Sequence, residues 1–208
     1  MKIIAHRGLW KKKSEQNTIK SINEALMNDY GIETDIRDYR NKIVVSHDMP
    51  SKNILYLEKI FKLYKKNNCK NIIALNIKAD GLQLEVNKLV RKYKIRNYFI
   101  FDMSIPESIK YLSTNLRVYM RLSEYEKNYQ KFSFNGLWID QFKGDWIKPY
   151  EIENLLRKKI DICLVSSELH QRNKEKLWKS LRNNNIHKFS NFSLCTDYPN
   201  EARKFFNV

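Results

Sequence analysis

Two histidines, an arginine and two carboxylates fall within the first quarter of this chain. They lie in His6-Arg7-Gly8, Glu33-Thr34-Asp35 and Val44-Val45-Ser46-His47-Asp48. These residue types suit cleavage of a phosphodiester. That reaction needs a proton donor, a proton acceptor, a cation for the phosphate and oxygen ligands for a divalent metal. His6 and His47 each close a short apolar run and are followed by a polar residue. A histidine pair of this kind can serve as base and acid near neutral pH, whereas a single one is more often structural. Asp48 either orients a catalytic histidine or caps the turn that follows it.

Glu33 and Asp35 are two residues apart in an apolar, β-branched run, so on a strand they share one face. Facing inward, they would repel each other unless a cation lay between them, and Mg²⁺ or Ca²⁺ suits such hard oxygens. Otherwise they face solvent on an edge or pair with Arg37 or Arg7. Arg7 and Lys78 are the cations best placed to meet a phosphate, Arg as a bidentate fork and Lys as a point charge. Lys78 follows Asn76 by two positions on an otherwise apolar run, which favours an inward role over an exposed loop position before Asp80-Gly81.

The elements that must position these groups follow from an alternation of short apolar runs with longer amphipathic stretches. Eight runs are expected as strands: 2–5, 31–36, 72–77, 98–101, 116–120, 136–139, 162–165 and 192–195. Helices are expected over 18–28, 54–67, 82–93, 106–112, 124–132, 148–157, 171–182 and 199–206, with Pro106, Pro149 and Pro199 in first turns. A short extra strand at 43–46 follows the second strand, as a hairpin across Arg40-Asn41-Lys42. Eight strand–helix units predict an α/β fold, a compact (β/α)8 TIM barrel formed by residues 1–208 as one domain. The usual length of that fold is about 250 residues, so the loops must be lean. Its chemistry sits at the C-terminal strand ends, and here every run ends in polar residues. After the third run these are Asn76 and Lys78, then Asp102, Arg121, Asp140, Ser166 to Glu168 and Thr196-Asp197.

The chain has 208 residues, 42% hydrophobic, enough for one sizeable core. No run of apolar residues is long enough for a transmembrane helix, and no cleavable leader is expected before the His-Arg-Gly motif. Cys69, Cys163 and Cys195 show neither metal-ligand spacing nor a disulfide framework, and Cys163 and Cys195, in apolar runs, are expected as buried reduced thiols, which points to the cytoplasm. The net charge of +16 comes from lysines spread along the whole chain, without an aromatic platform between them. Nucleic-acid binding is therefore not expected as the main function, and the charge serves to collect anionic small molecules.

His6-Arg7-Gly8, Asn17-Thr18, Gly31-Ile32-Glu33-Thr34-Asp35-Ile36-Arg37 and Val44-Val45-Ser46-His47-Asp48 together resemble, in order and spacing, the glycerophosphodiester phosphodiesterase family. Leu75-Asn76-Ile77-Lys78 and Thr196-Asp197-Tyr198-Pro199 resemble its later motifs more loosely. The resemblance implies a TIM barrel and a small-molecule phosphodiester substrate. It implies His6 and His47 as the acid–base pair, Arg7 and Lys78 on the phosphate, and Glu33 and Asp35 on a divalent metal, Mg²⁺ or Ca²⁺. The family carries a third acidic ligand where this chain has Asn76. An amide oxygen still ligates such ions but adds no charge, and Asp102 is a candidate to compensate. Glu15-Gln16-Asn17-Thr18 stands where the family has Pro-Glu-Asn-Thr, and the later strand ends depart from its motifs, which implies a divergent subgroup. A catalytically weak barrel that binds an anionic phospho-ligand is the alternative reading.

Overall fold

The computed structural model describes every residue except Lys52. The chain has an α/β fold with mostly parallel strands and divides into two compact units, Ala5–Val118 and Met1–Ile4 with Tyr119–Val208. Strand β1, Lys2–His6, gives its last residues to the first unit and its opening residues to the second.

In the first unit β2, Gly31–Tyr39, is the organising strand. It pairs in parallel with β5, Ile73–Ile77, which pairs in parallel with β6, Tyr98–Phe101. Its far end pairs antiparallel with β3, Lys42–Val45. The connection is Arg40-Asn41, and both residues have positive φ, 48° and 60°. That backbone suits a two-residue hairpin, because its twist matches that of the flanking strands. β4, Leu55–Tyr56, pairs antiparallel with β3, so the segment expected to open a helix at residue 54 begins as a strand. Helices α1 (Ile19–Met27), α2 (Leu57–Lys66), α3 (Gln83–Lys92) and α4 (Ile105–Leu112) follow the strands. α1 buries Ile22, Ala25 and Leu26, and α2 buries Leu57, Ile60, Phe61 and Tyr64. These are helical spacings, and each stripe faces a core of β-branched strand residues such as Ile32, Ile36, Val44 and Ile73.

In the second unit β7 (Tyr119–Leu122), β8 (Gly136–Ile139), β9 (Asp161–Val165) and β10 (Phe192–Thr196) pair in parallel in that order. α5 (Pro149–Arg157), α6 (Lys174–Asn183) and α7 (Pro199–Phe206) alternate with them. Pro106, Pro149 and Pro199 all lie in first helical turns, where a missing N–H costs no hydrogen bond.

Two expectations fail in the second unit. The strand placed at 116–120 lies instead at Tyr119–Leu122, which puts Arg121 within the strand. The helix expected over 124–132 does not form; only a single tight turn, Tyr129–Lys131, appears there. Ser123 explains this. Its hydroxyl accepts from the N–H groups of Tyr125 and Glu126, and the Glu124 carboxylate accepts from those of Phe142 and Lys143. These side-chain bonds to backbone hold the segment as a loop in place of a helical ladder.

The start of the first unit depends on Gly8. Its φ is +89°, and a Cβ there would lie 2.6 Å from the backbone carbon of Ser21 and 2.8 Å from the nitrogen of Ile22. No flexible group is available to give way, so β1 can end against the first turn of α1 only with glycine. Gly8→Ala is expected to lower unfolding free energy by about 2–3 kcal/mol in urea titration. An unchanged midpoint would contradict this packing.

Candidate functional site

The candidate site is built on the last residues of β1, the middle of β2, the end of β5 and the residue after β6. Glu33 and Asp35 lie two apart on β2 and are 1% and 0% exposed, so both face inward, and Asp35 pairs there with Arg7, as the alternative reading had it. β2 is covered on both faces, which leaves no solvent for either carboxylate. The protein answers the two charges with its own donors.

Arg7 does most of this. Its backbone, at φ 58°, turns the N–H toward Glu33, where it donates to the main-chain oxygen at 3.0 Å and to Oε2 at 3.2 Å. Its guanidinium Nε lies 2.8 Å from Asp35 Oδ2, in charge contact but without an aligned hydrogen bond, while Nη1 donates to Gln16 Oε1. Asn17, also left-handed at φ 55°, donates from its amide to Asp35 Oδ2 at 2.8 Å and accepts from the Thr34 hydroxyl. Asn17 therefore fixes the orientation of Asp35, a role its place in the sequence motif does not reveal. Glu15 turns the other way. Its carboxylate accepts from the backbone N–H groups of Lys11 and Lys12, which hold it below the usual carboxylate range. Gln16, not Glu15, meets Arg7.

Asn76 stands opposite Asp35 in the β2–β5 register and donates its amide to Glu33 Oε1 at 3.1 Å. Lys78 Nζ lies 2.8 Å from Asp102 Oδ2 and 3.7 Å from Asp35 Oδ1. His6 Nε2 lies 3.8 Å from Glu33 Oε2, and its backbone oxygen accepts from the Trp10 indole. Six of the seven residues singled out in the sequence thus form one cluster: His6, Arg7, Glu33, Asp35, Asn76 and Lys78. His47 stands apart. The N–H of neighbouring Ser46 donates to the Asp35 main-chain oxygen at 3.0 Å, but the His47 ring is half-exposed and its partner is Asp48, 2.9 Å from Nδ1. The ring beside Asp48 holds that carboxyl below the usual range.

Burial, reinforced by the Asp35 charge, pushes the Glu33 carboxyl up, against the opposing pull of His6, Asn76 and Arg7. Asp35 Oδ1 and Asn76 Oδ1 are buried and accept no hydrogen bond among the described residues. An unsatisfied buried oxygen costs about 1–3 kcal/mol, and two on paired strand positions are hard donors of the kind a divalent cation takes. Among the described residues no group of three or more His, Cys, Asp or Glu side chains is set to hold a metal. The donor set that fits one is two carboxylates and the Asn76 amide oxygen. Asp102, at φ 75°, enters through Lys78 and has a left-handed backbone, which the sequence does not announce.

The second unit carries its own polar cluster at strand ends. Asp140, after β8, accepts from the Gln141 N–H and lies 2.5 Å from His170 Nε2. Glu168 accepts from the hydroxyls of Ser166 and Thr196 and from the N–H of Asp197, so the Thr196-Asp197 motif is organised by this carboxylate. Arg121 pairs with Glu126. Of the aromatic side chains there, Trp138 is core, and the Trp146 indole donates to the Asp140 main-chain oxygen.

No family model matches the sequence, and no curated protein does. Solved structures do match, over the whole chain. A Galdieria sulphuraria protein assigned as a glycerophosphodiester phosphodiesterase aligns with a TM-score of 0.79 at 16% identity, covering 100% of this chain and 98% of its own. The glycerophosphodiester phosphodiesterase of Agrobacterium tumefaciens aligns at 0.70 with 14% identity and 100% of both chains. An Oleispira antarctica phosphodiesterase, in complex with the product sn-glycerol-3-phosphate, aligns at 0.73 with 12% identity, covering 100% of this chain and 97% of its own. The chain shares the fold of these enzymes.

The raised Glu33 carboxyl is directly measurable. In the folded protein its ¹³C resonance is expected to titrate above the ordinary value of 4.5. A folded state that holds this proton more tightly than the unfolded chain loses the associated stability as pH rises from the ordinary value through the folded one. A midpoint at or below the ordinary value would contradict the burial assigned to this group.

Proposed function

We propose that this chain, which has the fold of the glycerophosphodiester phosphodiesterases, hydrolyses a glycerophosphodiester or a related small-molecule phosphodiester on a single (β/α)8 barrel of residues 1–208. The observation that carries the proposal is the buried Glu33–Asp35 pair with its unsatisfied oxygen, flanked within one cluster by Arg7, Lys78 and His6. Carboxylates, two permanent cations and an imidazole at the ends of neighbouring strands are what a phosphodiester needs around it. The phosphodiesterase found with sn-glycerol-3-phosphate supports the same substrate class for this fold.

In this reading Arg7 and Lys78 bind the non-bridging phosphate oxygens and offset the charge that builds on them in the transition state. Glu33, Asp35 and the Asn76 amide oxygen would hold a divalent ion, Mg²⁺ or Ca²⁺, which would supply further charge neutralisation at the phosphate. His47 acts as base: Asp48 accepts from Nδ1–H and leaves the Nε2 lone pair to take a proton from the attacking water. His6 acts as acid. Its Nε2, 3.8 Å from Glu33 Oε2, gives a proton to the leaving alkoxide. The positive balance of the whole chain draws the anionic substrate in.

A second reading, a barrel that binds a phosphorylated ligand without turning it over, is favoured by one observation. Asn76 contributes no charge, and its amide nitrogen already serves Glu33. Turnover decides between the two. With sn-glycero-3-phosphocholine as substrate and release of sn-glycerol 3-phosphate as readout, His6→Ala and His47→Ala are each expected to lower kcat by about a hundredfold or more while leaving the melting temperature within a few degrees. A variant with full activity removes that histidine from the mechanism. Chelation of divalent ions is expected to abolish turnover and their return to restore it. Phosphate binding without turnover in any divalent metal would establish the second reading.

A further inference from the structure

Lys78 has two carboxylates to choose from. It sits 2.8 Å from Asp102 Oδ2 and 3.7 Å from Asp35 Oδ1, and Asp35 Oδ1 accepts no hydrogen bond among the described residues although it is buried beside an ammonium group. Without another claim on the lysine, the Asp35 oxygen is where that charge would settle, because a buried carboxylate oxygen gains more from a close cation than a partly exposed one does. Asp102 provides the competing claim. It follows β6 directly, and the residue before it, Phe101, is in register with Asn76 on β5. Its backbone, at φ 75°, lies in the left-handed region that aspartate and asparagine tolerate and most residues avoid. A left-handed residue at that strand end turns the carboxylate back toward the Lys78 ammonium.

We infer that Asp102 is a positioning residue that holds Lys78 away from Asp35 and so keeps the Asp35 oxygen open for a divalent cation. This rests on the proposed metal site and deepens it. Two groups that both carry positive charge, Lys78 and the ion, approach the same carboxylate. Their competition is relieved only while Lys78 stays with Asp102. The arrangement also keeps the ammonium off the Asp35 oxygen, at the edge of the cluster where a phosphate oxygen would meet it. Asp102 therefore acts through Lys78, not as a ligand of the ion.

The test is a double-mutant cycle read by Mn²⁺ binding, with the free ion measured by electron paramagnetic resonance. Asp102→Asn is nearly isosteric, and asparagine tolerates the same backbone angle, so the variant is expected to fold. Melting curves of each protein check this. In the Asp102→Asn protein Lys78 moves to Asp35, and the Mn²⁺ dissociation constant is expected to rise by about tenfold, the scale of one close charge interaction at a partly buried site. In the Lys78→Met background the same substitution is expected to change it by less than about threefold, because no ammonium is left to compete. A tenfold penalty in both backgrounds would show that Asp102 touches the ion itself, and no penalty in either would show an incidental ion pair; each overturns the inference while leaving the metal site standing. Failure of the unaltered protein to bind Mn²⁺ would overturn the metal site and the inference together.

Discussion

The structure turns on placing two carboxylates on one face of the buried stretch of β2. Isolated ionised carboxylates are not tolerated in such a place, so every neighbouring element must supply a donor or a cation. Several otherwise unrelated features follow from that need. Arg7 takes a left-handed backbone so that its N–H reaches Glu33 while its guanidinium reaches Asp35. Asn17 takes another so that its amide reaches Asp35. Gly8 has no side chain because the turn holding Arg7 presses on the backbone of α1. The cluster remains incompletely satisfied, with one oxygen of Asp35 and one of Asn76 accepting no hydrogen bond among the described residues. A fold that retains such groups does so at a cost in stability, and sites of that kind are where binding and catalysis are found.

Much of this was legible in the sequence, for identifiable reasons. The period-two placement of Glu33 and Asp35 among β-branched residues made a shared face the natural reading, and β2 has it. Parallel strands buried on both faces read as continuous apolar runs, which is why Tyr98–Phe101 and Gly136–Ile139 could be bounded to the residue. Prolines marked the starts of three helices because only a first turn accepts them. The failures have a common physical origin. The segment 124–132 has helix-compatible composition but spends its polar groups on backbone N–H groups of its own and of residues 142 and 143, a choice only tertiary packing reveals. Asp102 and Asn17 gain their importance from backbone angles, and both residue types are common in ordinary turns. His47 was recognisable as a strand-end histidine, but its half-exposed ring and its pairing with Asp48 depend on how the chain leaves β3.

The chain departs from its family resemblance at Asn76, and the structure shows what the departure entails. A neutral amide at that register position can donate to Glu33, which an ionised carboxylate could not, so Glu33 gains a hydrogen bond and the cluster carries one negative charge fewer. Asp102 brings a carboxylate to the same neighbourhood from the adjoining strand end, but spends it on Lys78. The electrostatic balance is therefore spread over three strand ends, in how the charges share partners as well as in their number.

Whether the Glu33–Asp35 pair takes up a cation is decided by calorimetric titration of the protein with Mn²⁺ beside the Asp35→Asn variant. One ion bound per chain is expected, with loss of that binding in the variant. Equal Mn²⁺ binding by both proteins would contradict a cation site there.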